Sequence, residues 1–398
     1  MIDVAVNGIV LRTKSKALND LGTINVLGKT LEQWAGAAIG APYKAVECSP
    51  VVNMAERVRD AIDRKKPTTV VLFCDTPLVS HNTVAAAVKE LESGAEKALK
   101  LPRGYVFRTD YLFEIESLFF HNTTADKEFD TVTDSESLSR VTEVLRRRIL
   151  RFHSDGGVVI PSFEHTTIDC DAVIMRGAVI EPYNFIKGKT VIKENAHIMP
   201  GNYIENCVIG AGARVDSSRL YNSCVGDGTT VGPFAYIRPD SVIGAHCRIG
   251  DFVELKSCVI GNNTKVSHLT YIGDAELGEE CNVGCGVVFA NYDGKNKYKS
   301  VVGNRVFIGS NANIVAPVEI SDRSFIAAGS TITKSVPSSA LAIARARQSI
   351  IPNWSGNMYA PPIPEAPVQP TYNVVQYSDG IIDGSASDNV NSTDETKD

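Results

Sequence analysis

The sequence is notable first for several things it does not contain. No run approaches the roughly 18 apolar residues of a membrane-spanning helix. The opening MIDVAVNGIVLRTKSK has no long apolar core of the secretory type. Nine cysteines are scattered without a single CxxC pair. An odd, dispersed set points to free thiols in a reducing cytosol and away from a disulfide framework. Charge of one sign is also missing from the body of the chain. The formal net charge of −6 comes from the end: seven acidic residues against one lysine from Ser355 onward, leaving 39 acids against 39 Lys and Arg before it. That balance gives no electrostatic case for nucleic acid or a membrane surface.

What the chain does have is a repeat. Ile168, Ile174, Ile180, Ile186, Ile192, Ile198 and Ile204 stand six residues apart. The pattern returns at Val225, Val231, Ile237, Ile243, Ile249 and Leu255, and again at Ile308, Ile314, Ile320, Ile326 and Ile332. A period of six fits neither a helix nor an alternating strand. It fits a parallel β-helix in which each short strand points one aliphatic side chain inward before the chain turns a corner. Three sides make a coil of about 18 residues, so 168–335 predicts roughly nine coils stacked about 4.8 Å apart. Small residues after the aliphatic positions, as in IGAGARV, VGDGTTV and IGAHCRI, suit tight corners. One polar segment, FANYDGKNKYKS (289–300), interrupts the repeat and reads as a loop thrown out from it, a usual place for chemistry.

Upstream the pattern changes. TTVVLFCDTPLV (68–79) reads as a buried strand entering a loop, and NTVAAAVKELES reads as a helix. SESLSRVTEVLRRRILRFH (135–153) is strongly helical, and its arginines are expected on a solvated face. The expected organisation is an α/β domain over 1–134, a linker helix over 135–157, the β-helix over 158–336, an arm over 337–354 and a disordered acidic tail over 355–398.

Polar residues able to carry chemistry gather in one part of the repeat: Arg238, Lys256, His268, Tyr271, Asn282, Asn291, Tyr292 and Lys297. Arg238 and Lys256 are one nominal coil apart, so they stack on neighbouring rungs. Two adjacent cations with no obvious acidic partner call for an anion, and phosphate suits them. As the side-chain type suited to proton transfer near neutral pH, His268 is able to take a proton from an attacking amine, although a lone histidine in a repeat is more often a corner residue.

The motifs GPFAYIRP, FVELK, SHLTYIGDAELG, NYDGKNKYK, VFIGSNANIVAPVEI and ALAIARARQ resemble the acetyltransferase part of the bacterial bifunctional enzymes of UDP-N-acetylglucosamine synthesis. Those enzymes join glucosamine-1-phosphate N-acetyltransferase to N-acetylglucosamine-1-phosphate uridyltransferase. The resemblance implies a left-handed parallel β-helix, a homotrimer with sites between prisms, and transfer of acetyl from acetyl-CoA to the amine of glucosamine 1-phosphate. It implies His268 as general base. It assigns Arg238, Lys256, Tyr271, Asn282 and Lys297 to the sugar phosphate, and Asn291, Tyr292, Ser310, Ala328 and Arg345 to acetyl-CoA. Cys285 stands near the acetyl group, where the family usually has alanine.

The N-terminal part departs from that family. Its glycine-rich LxAGxGTRM loop is replaced by AVNGIVLRTKS, and some 60 residues of a family-like domain length are missing between about Leu78 and Gly104. Asp75 in CDTPL resembles a vestigial magnesium ligand, while Thr133 occupies the second metal position. The domain therefore reads as a truncated, Rossmann-like nucleotidyltransferase fold that has lost uridyl transfer, with magnesium needed only if that activity persists. Alternatives are a non-catalytic hexapeptide-repeat scaffold that oligomerises or binds sugar nucleotides, an enzyme retaining both activities, and a zinc-dependent hydratase. For the last, His165, His197, His246 and His268 are poorly clustered.

Overall fold

The computed structural model describes residues 6–48, 54–116, 127–352 and 354. The chain divides after Arg345, with residues 1–345 forming one unit and Ala346–Asp398 another. The acidic tail expected over 355–398 lies outside the described residues.

The apolar runs VNGIVLR and TTVVLF become neighbouring strands, Val6–Arg12 and Thr68–Phe73, buried along almost their whole length. Alternate side chains feed two different cores. Val10, Val70 and Leu72 share a core with helices α1 (Leu31–Ile39) and α3 (His81–Ser93). Ile9, Leu11, Val71 and Phe73 pack with α2 (Met54–Ala61). Tyr43–Glu47 extends the sheet in parallel on one side, and Gly104–Arg108 then Ala98–Leu101 extend it antiparallel on the other. The result is a five-stranded mixed α/β sheet. α1 starts on a capping box, with Thr30 accepting from the Gln33 N–H and Gln33 accepting from the Thr30 N–H.

Helix α4 (Ser135–Asp155) joins this domain to the repeat. Its arginines do not all face solvent as expected. Arg146 is buried and donates to the Phe163 and Thr166 carbonyls, while Glu143 accepts from its other nitrogens at 2.8 Å. Arg148 donates to the Leu78 carbonyl at 2.6 Å. Both fasten the helix to its neighbours, because the carbonyls at the loop ends have no strand partner and a guanidinium satisfies several at once. Arg147 stays on the surface, paired with Glu143.

From Thr166 the chain winds into a three-sided parallel β-helix, with ten, nine and ten short strands on its faces. That is about one coil more than the isoleucine spacing alone predicts. Ile168, Ile186 and Ile204 pair in register on the first face, Ile174, Ile192 and Ile209 on the second, and Ile180, Ile198 and Val215 on the third. All lie at or below 8% exposure, so the period of six is the period of the core. The corners are less uniformly small than expected. One of them carries Tyr183, Phe234, Phe252 and Leu269, all in the left-handed region (φ 64°, 59°, 55° and 46°) and all more than half exposed. This conformation costs such residues roughly 1–2 kcal/mol each, and it leaves Phe234, Phe252 and Leu269 exposed on three successive coils, with Gly201 and Ser217 at the corner between them and Tyr183.

Candidate active site

Register gathers the expected residues into two groups, on two adjoining faces of the prism. The first lies on the face that carries Tyr236–Ile237, Glu254–Lys256 and Tyr271–Gly273. Arg238 and Lys256 fall on adjacent rungs, as their spacing predicts. They are not without acids, however. The Glu254 carboxylate accepts from Arg238 at 2.8 Å, and Asp274 lies 3.6 Å from the Lys256 ammonium. Sequence reasoning missed both because each acid belongs to a neighbouring coil: Glu254 lies 16 residues after Arg238, and Asp274 lies 18 after Lys256.

Lys297 returns to this cluster from the loop. The neighbouring Lys256 lowers the pKa of Lys297, while that of Lys256 is raised beside Lys297 and Asp274. Tyr271 completes the group. Its hydroxyl sits over Gly273, where an added Cβ would come 2.3 Å from the phenol oxygen and 2.8 Å from Asn291 Nδ2. Asn291 is buried and donates to Asp274 at 2.5 Å, so it belongs to this polar cluster. The Tyr292 ring is exposed, and its hydroxyl donates to the Gly294 carbonyl.

The second group is a column at the end of the third face. Asp251 and His268 are register partners, and His268 Nδ1 lies 2.5 Å from Asp251 Oδ1. His268 Nε2 has no hydrogen-bond partner among the described residues. The carboxyl of Asp251 is held below the usual carboxylate range chiefly by His268. Below His268 the register runs on through Val266, Val283, Ile308 and Ile326, each two residues before a corner. Cys285, Ser310 and Ala328 therefore follow His268 down successive coils. The Asn311 N–H donates to the Cys285 carbonyl and the Gly329 N–H to the Ser310 carbonyl, both across adjacent coils. Arg345 closes the column, with Cδ 3.7 Å from the position of a Cβ added to Gly329.

Asn282 is not brought to either group. Its strand, Asn282–Val283, pairs with Lys265 and Phe307 on the third face, away from Arg238, Lys256 and Tyr271.

The cleft in the N-terminal domain, about 650 Å³, is lined by Thr13 to Ala17, Cys48, Asp75, Arg103 and Thr133 among others. A magnesium ion on Asp75 does not fit these residues. Arg103 Nε and Nη2 donate to the two Asp75 oxygens at 2.9 and 2.5 Å, and Thr13 Oγ1 donates to one of them at 3.3 Å. Thr133 turns its hydroxyl to Asp134. In this structure a guanidinium occupies the place of a counter-ion at Asp75. Among the described residues no group of three or more His, Cys, Asp or Glu converges as a metal site. His197 pairs with Glu181 at 3.2 Å and His165 stacks on Tyr183. All nine cysteines are free, and burial pushes the Cys74, Cys207 and Cys258 thiols up to about 11. No described helix is long and apolar enough to cross a membrane.

Comparison with known proteins follows the β-helix. Residues 219–308 match the family described as the GMPPB C-terminal domain, and 299–334 match the bacterial transferase hexapeptide family (six repeats). The protein named Bifunctional protein GlmU from Clostridium acetobutylicum is 54% identical over 217 residues, covering 54% of this chain and 48% of that one. Its namesake from Clostridium tetani is 55% identical over the same length and shares. Among solved structures, the UDP-N-acetylglucosamine acyltransferase of Francisella novicida aligns with a TM-score of 0.28 at 20% identity, over 47% of this chain and 65% of that one. The chain spans about half the length of the relatives it matches. Over about half of its own length the chain is similar to the bifunctional GlmU proteins, and residues 299–334 match the bacterial hexapeptide-repeat family.

Proposed function

We propose that this chain is an N-acetyltransferase that moves acetyl from acetyl-CoA to the amine of glucosamine 1-phosphate, and that its N-terminal domain no longer performs uridyl transfer. The observation that carries the reading is a free imidazole nitrogen on His268 at the end of the third face, with a cationic cluster built from Arg238, Lys256 and Lys297 on the adjoining first face. In this reading the cluster and Tyr271 hold the sugar phosphate by charge-assisted hydrogen bonds. His268 Nε2 receives the amine proton as the nitrogen attacks the thioester. The column Cys285, Ser310, Ala328 and Arg345 leads away from His268, and its small side chains leave room for an extended acyl-CoA arm. Holding both substrates there turns a collision into a positioned attack.

Asn282 and Tyr292 fit this reading if a second copy lies alongside. The exposed apolar corner residues Phe234, Phe252 and Leu269 on three successive coils support such packing, and a homotrimer with sites between prisms would use them. Cys285 is half-buried in the acyl column, so a thioester held there is expected to acetylate it adventitiously; an acetylated Cys285 peptide after incubation with acetyl-CoA is the readout. Loss of uridyl transfer is supported by the Arg103 clamp on Asp75 and by the missing glycine-rich loop.

Free-thiol release from acetyl-CoA with glucosamine 1-phosphate tests the transfer. Wild type is expected to release thiol and His268→Ala to lose about 100-fold or more. No release by wild type would sink the enzyme reading, and undiminished release by the variant would sink the assigned base. Pyrophosphate formed on adding UTP and magnesium would overturn the loss of uridyl transfer.

A further inference from the structure

We propose that Asp251 is a positioning residue for His268: its carboxylate, accepting from Nδ1–H across two coils, fixes the imidazole in the tautomer that leaves the Nε2 lone pair free. The inference rests on the acetyl-transfer reading above for what the nitrogen does, and on the geometry of the pair for the tautomer.

The fold makes an unusual local effort to bring these two side chains together. On the third face every strand is two residues long except Arg248–Asp251 and Lys265–His268, which are four. Only there does the ladder run on to the corner, and the pair Asp251 and His268 is its last rung. Gly250 permits this approach, since a Cβ added to it would lie 2.0 Å from the Ser267 carbonyl oxygen. The backbone is then pinned on both sides. The Leu269 N–H donates to the Asp251 carbonyl at 3.0 Å, and Thr270 Oγ1 donates to the His268 carbonyl at 2.7 Å. With both main chains fixed, the 2.5 Å contact between Nδ1 and Oδ1 orients the ring.

A neutral imidazole has one donor and one acceptor nitrogen. A carboxylate can only accept, so it selects the Nδ1–H form and leaves Nε2 as the base. In the reaction the amine nitrogen forms a bond to the acetyl carbon and the carbon–sulfur bond breaks. The amine proton passes to Nε2, and from the resulting imidazolium to the departing thiolate, giving amide and free thiol. Asp251 stays ionised throughout and faces the positive charge while it exists, the role a carboxylate plays behind a histidine base in hydrolases. Outer partners that orient metal-bound histidines typically contribute about 10- to 100-fold, and at least that order is expected for Asp251.

The test is nitrogen-15 NMR of the histidine rings near pH 8, together with steady-state kinetics, for wild type, Asp251→Asn, Asp251→Ala and His268→Ala. Loss of a signal in His268→Ala assigns that ring among the seven histidines. The expected wild-type ring is the Nδ1–H tautomer, and Asp251→Ala shifts it toward the Nε2–H form that free imidazole side chains favour. With that shift kcat falls about 10- to 100-fold, while KM for both substrates stays within about twofold. A wild-type ring already in the Nε2–H form overturns the proposal, as does an Asp251→Ala enzyme with unchanged tautomer and kcat. Absence of thiol release by wild type is a failure of the acetyl-transfer reading instead, and the ring tautomer still decides the pairing.

Discussion

The two candidate sites of this molecule use charge in opposite ways. In the N-terminal domain, Asp75 and Arg103 close on each other in a two-pronged contact, only 6% and 19% exposed, over the face of Phe73. At the edge of the β-helix, Arg238 and Glu254 touch through one contact with more than a third of each side chain exposed, and Lys256 and Lys297 crowd beside them. The first arrangement satisfies its charges internally and has little left to offer an ion. The second keeps more cation than it neutralises and is open to an anion. The difference shows how a charged pair can be structural in one place and a ligand site in another, according to burial and stoichiometry.

The contrast is broken most forcefully by Arg103→Ala. It leaves the Asp75 carboxylate buried without its partner, a change that costs about 3–5 kcal/mol where burial is complete. A loss near the lower end of about 3 kcal/mol is expected in urea denaturation, because Arg103 retains some exposure. Acetyl transfer, measured well below the unfolding transition, should be unchanged. Equal stability of the variant would mean that the pair is not the structural contact described here.

Arg238→Ala is the reciprocal case. Its pair with Glu254 is exposed, so stability should move by no more than about 1 kcal/mol. The loss should appear in binding, with KM for glucosamine 1-phosphate rising about 10- to 100-fold, the equivalent of one or two charge-assisted hydrogen bonds. A variant with ordinary KM and lowered stability would move Arg238 into the structural class with Arg103.

A smaller contrast concerns local stabilisation. α1 is held by the Thr30 and Gln33 capping box, whereas the coils of the β-helix have no helix ends to cap. Thr30→Ala should destabilise the N-terminal domain by about 1 kcal/mol. Thermal unfolding followed at Trp34, whose indole nitrogen donates to the Val26 carbonyl beside α1, reports it.

The β-helix was legible in the sequence because its core repeats in the same register that the strands use. Ile168 to Ile204 and Ile308 to Ile332 all reach the interior with no tertiary information beyond the period. The cationic rungs of Arg238 and Lys256 followed from the same arithmetic. What escaped was everything one coil away. Asp251, Glu254 and Asp274 lie 16 to 18 residues from His268, Arg238 and Lys256, a distance that looks long in a sequence and is one rung in space. Applying the coil length to acids as well as to aliphatics would have found them. The Arg103 clamp on Asp75 had no such period to reveal it, since it joins the strand end after Phe73 to the turn before Gly104. The role of Arg146 was hidden for a related reason. Three consecutive arginines on a helix necessarily point in different directions, and composition does not say which one meets the first coil.

Arg146 also supplies the mildest test, because its pair with Glu143 belongs to neither class: it lies within α4 and steadies a guanidinium that reaches the first coil through the Phe163 and Thr166 carbonyls. The Glu143 carboxyl is held below the usual carboxylate range by its hydrogen bond from Arg146, with burial opposing and Arg147 adding to the effect. Its folded pKa is therefore lower than the value of about 4.3 in an unfolded chain. A carboxyl of that kind contributes stability that is complete above the unfolded value and disappears as the pH falls through the folded one. Glu143 is 43% exposed, so solvent screening limits the contribution to less than about 1 kcal/mol. Glu143→Gln should thus be slightly less stable than wild type at pH 7, with the two stability curves converging below about pH 4. A constant offset across that range would assign the difference to packing of the amide, and the joint between the two regions would then rest on the carbonyl contacts of Arg146 alone.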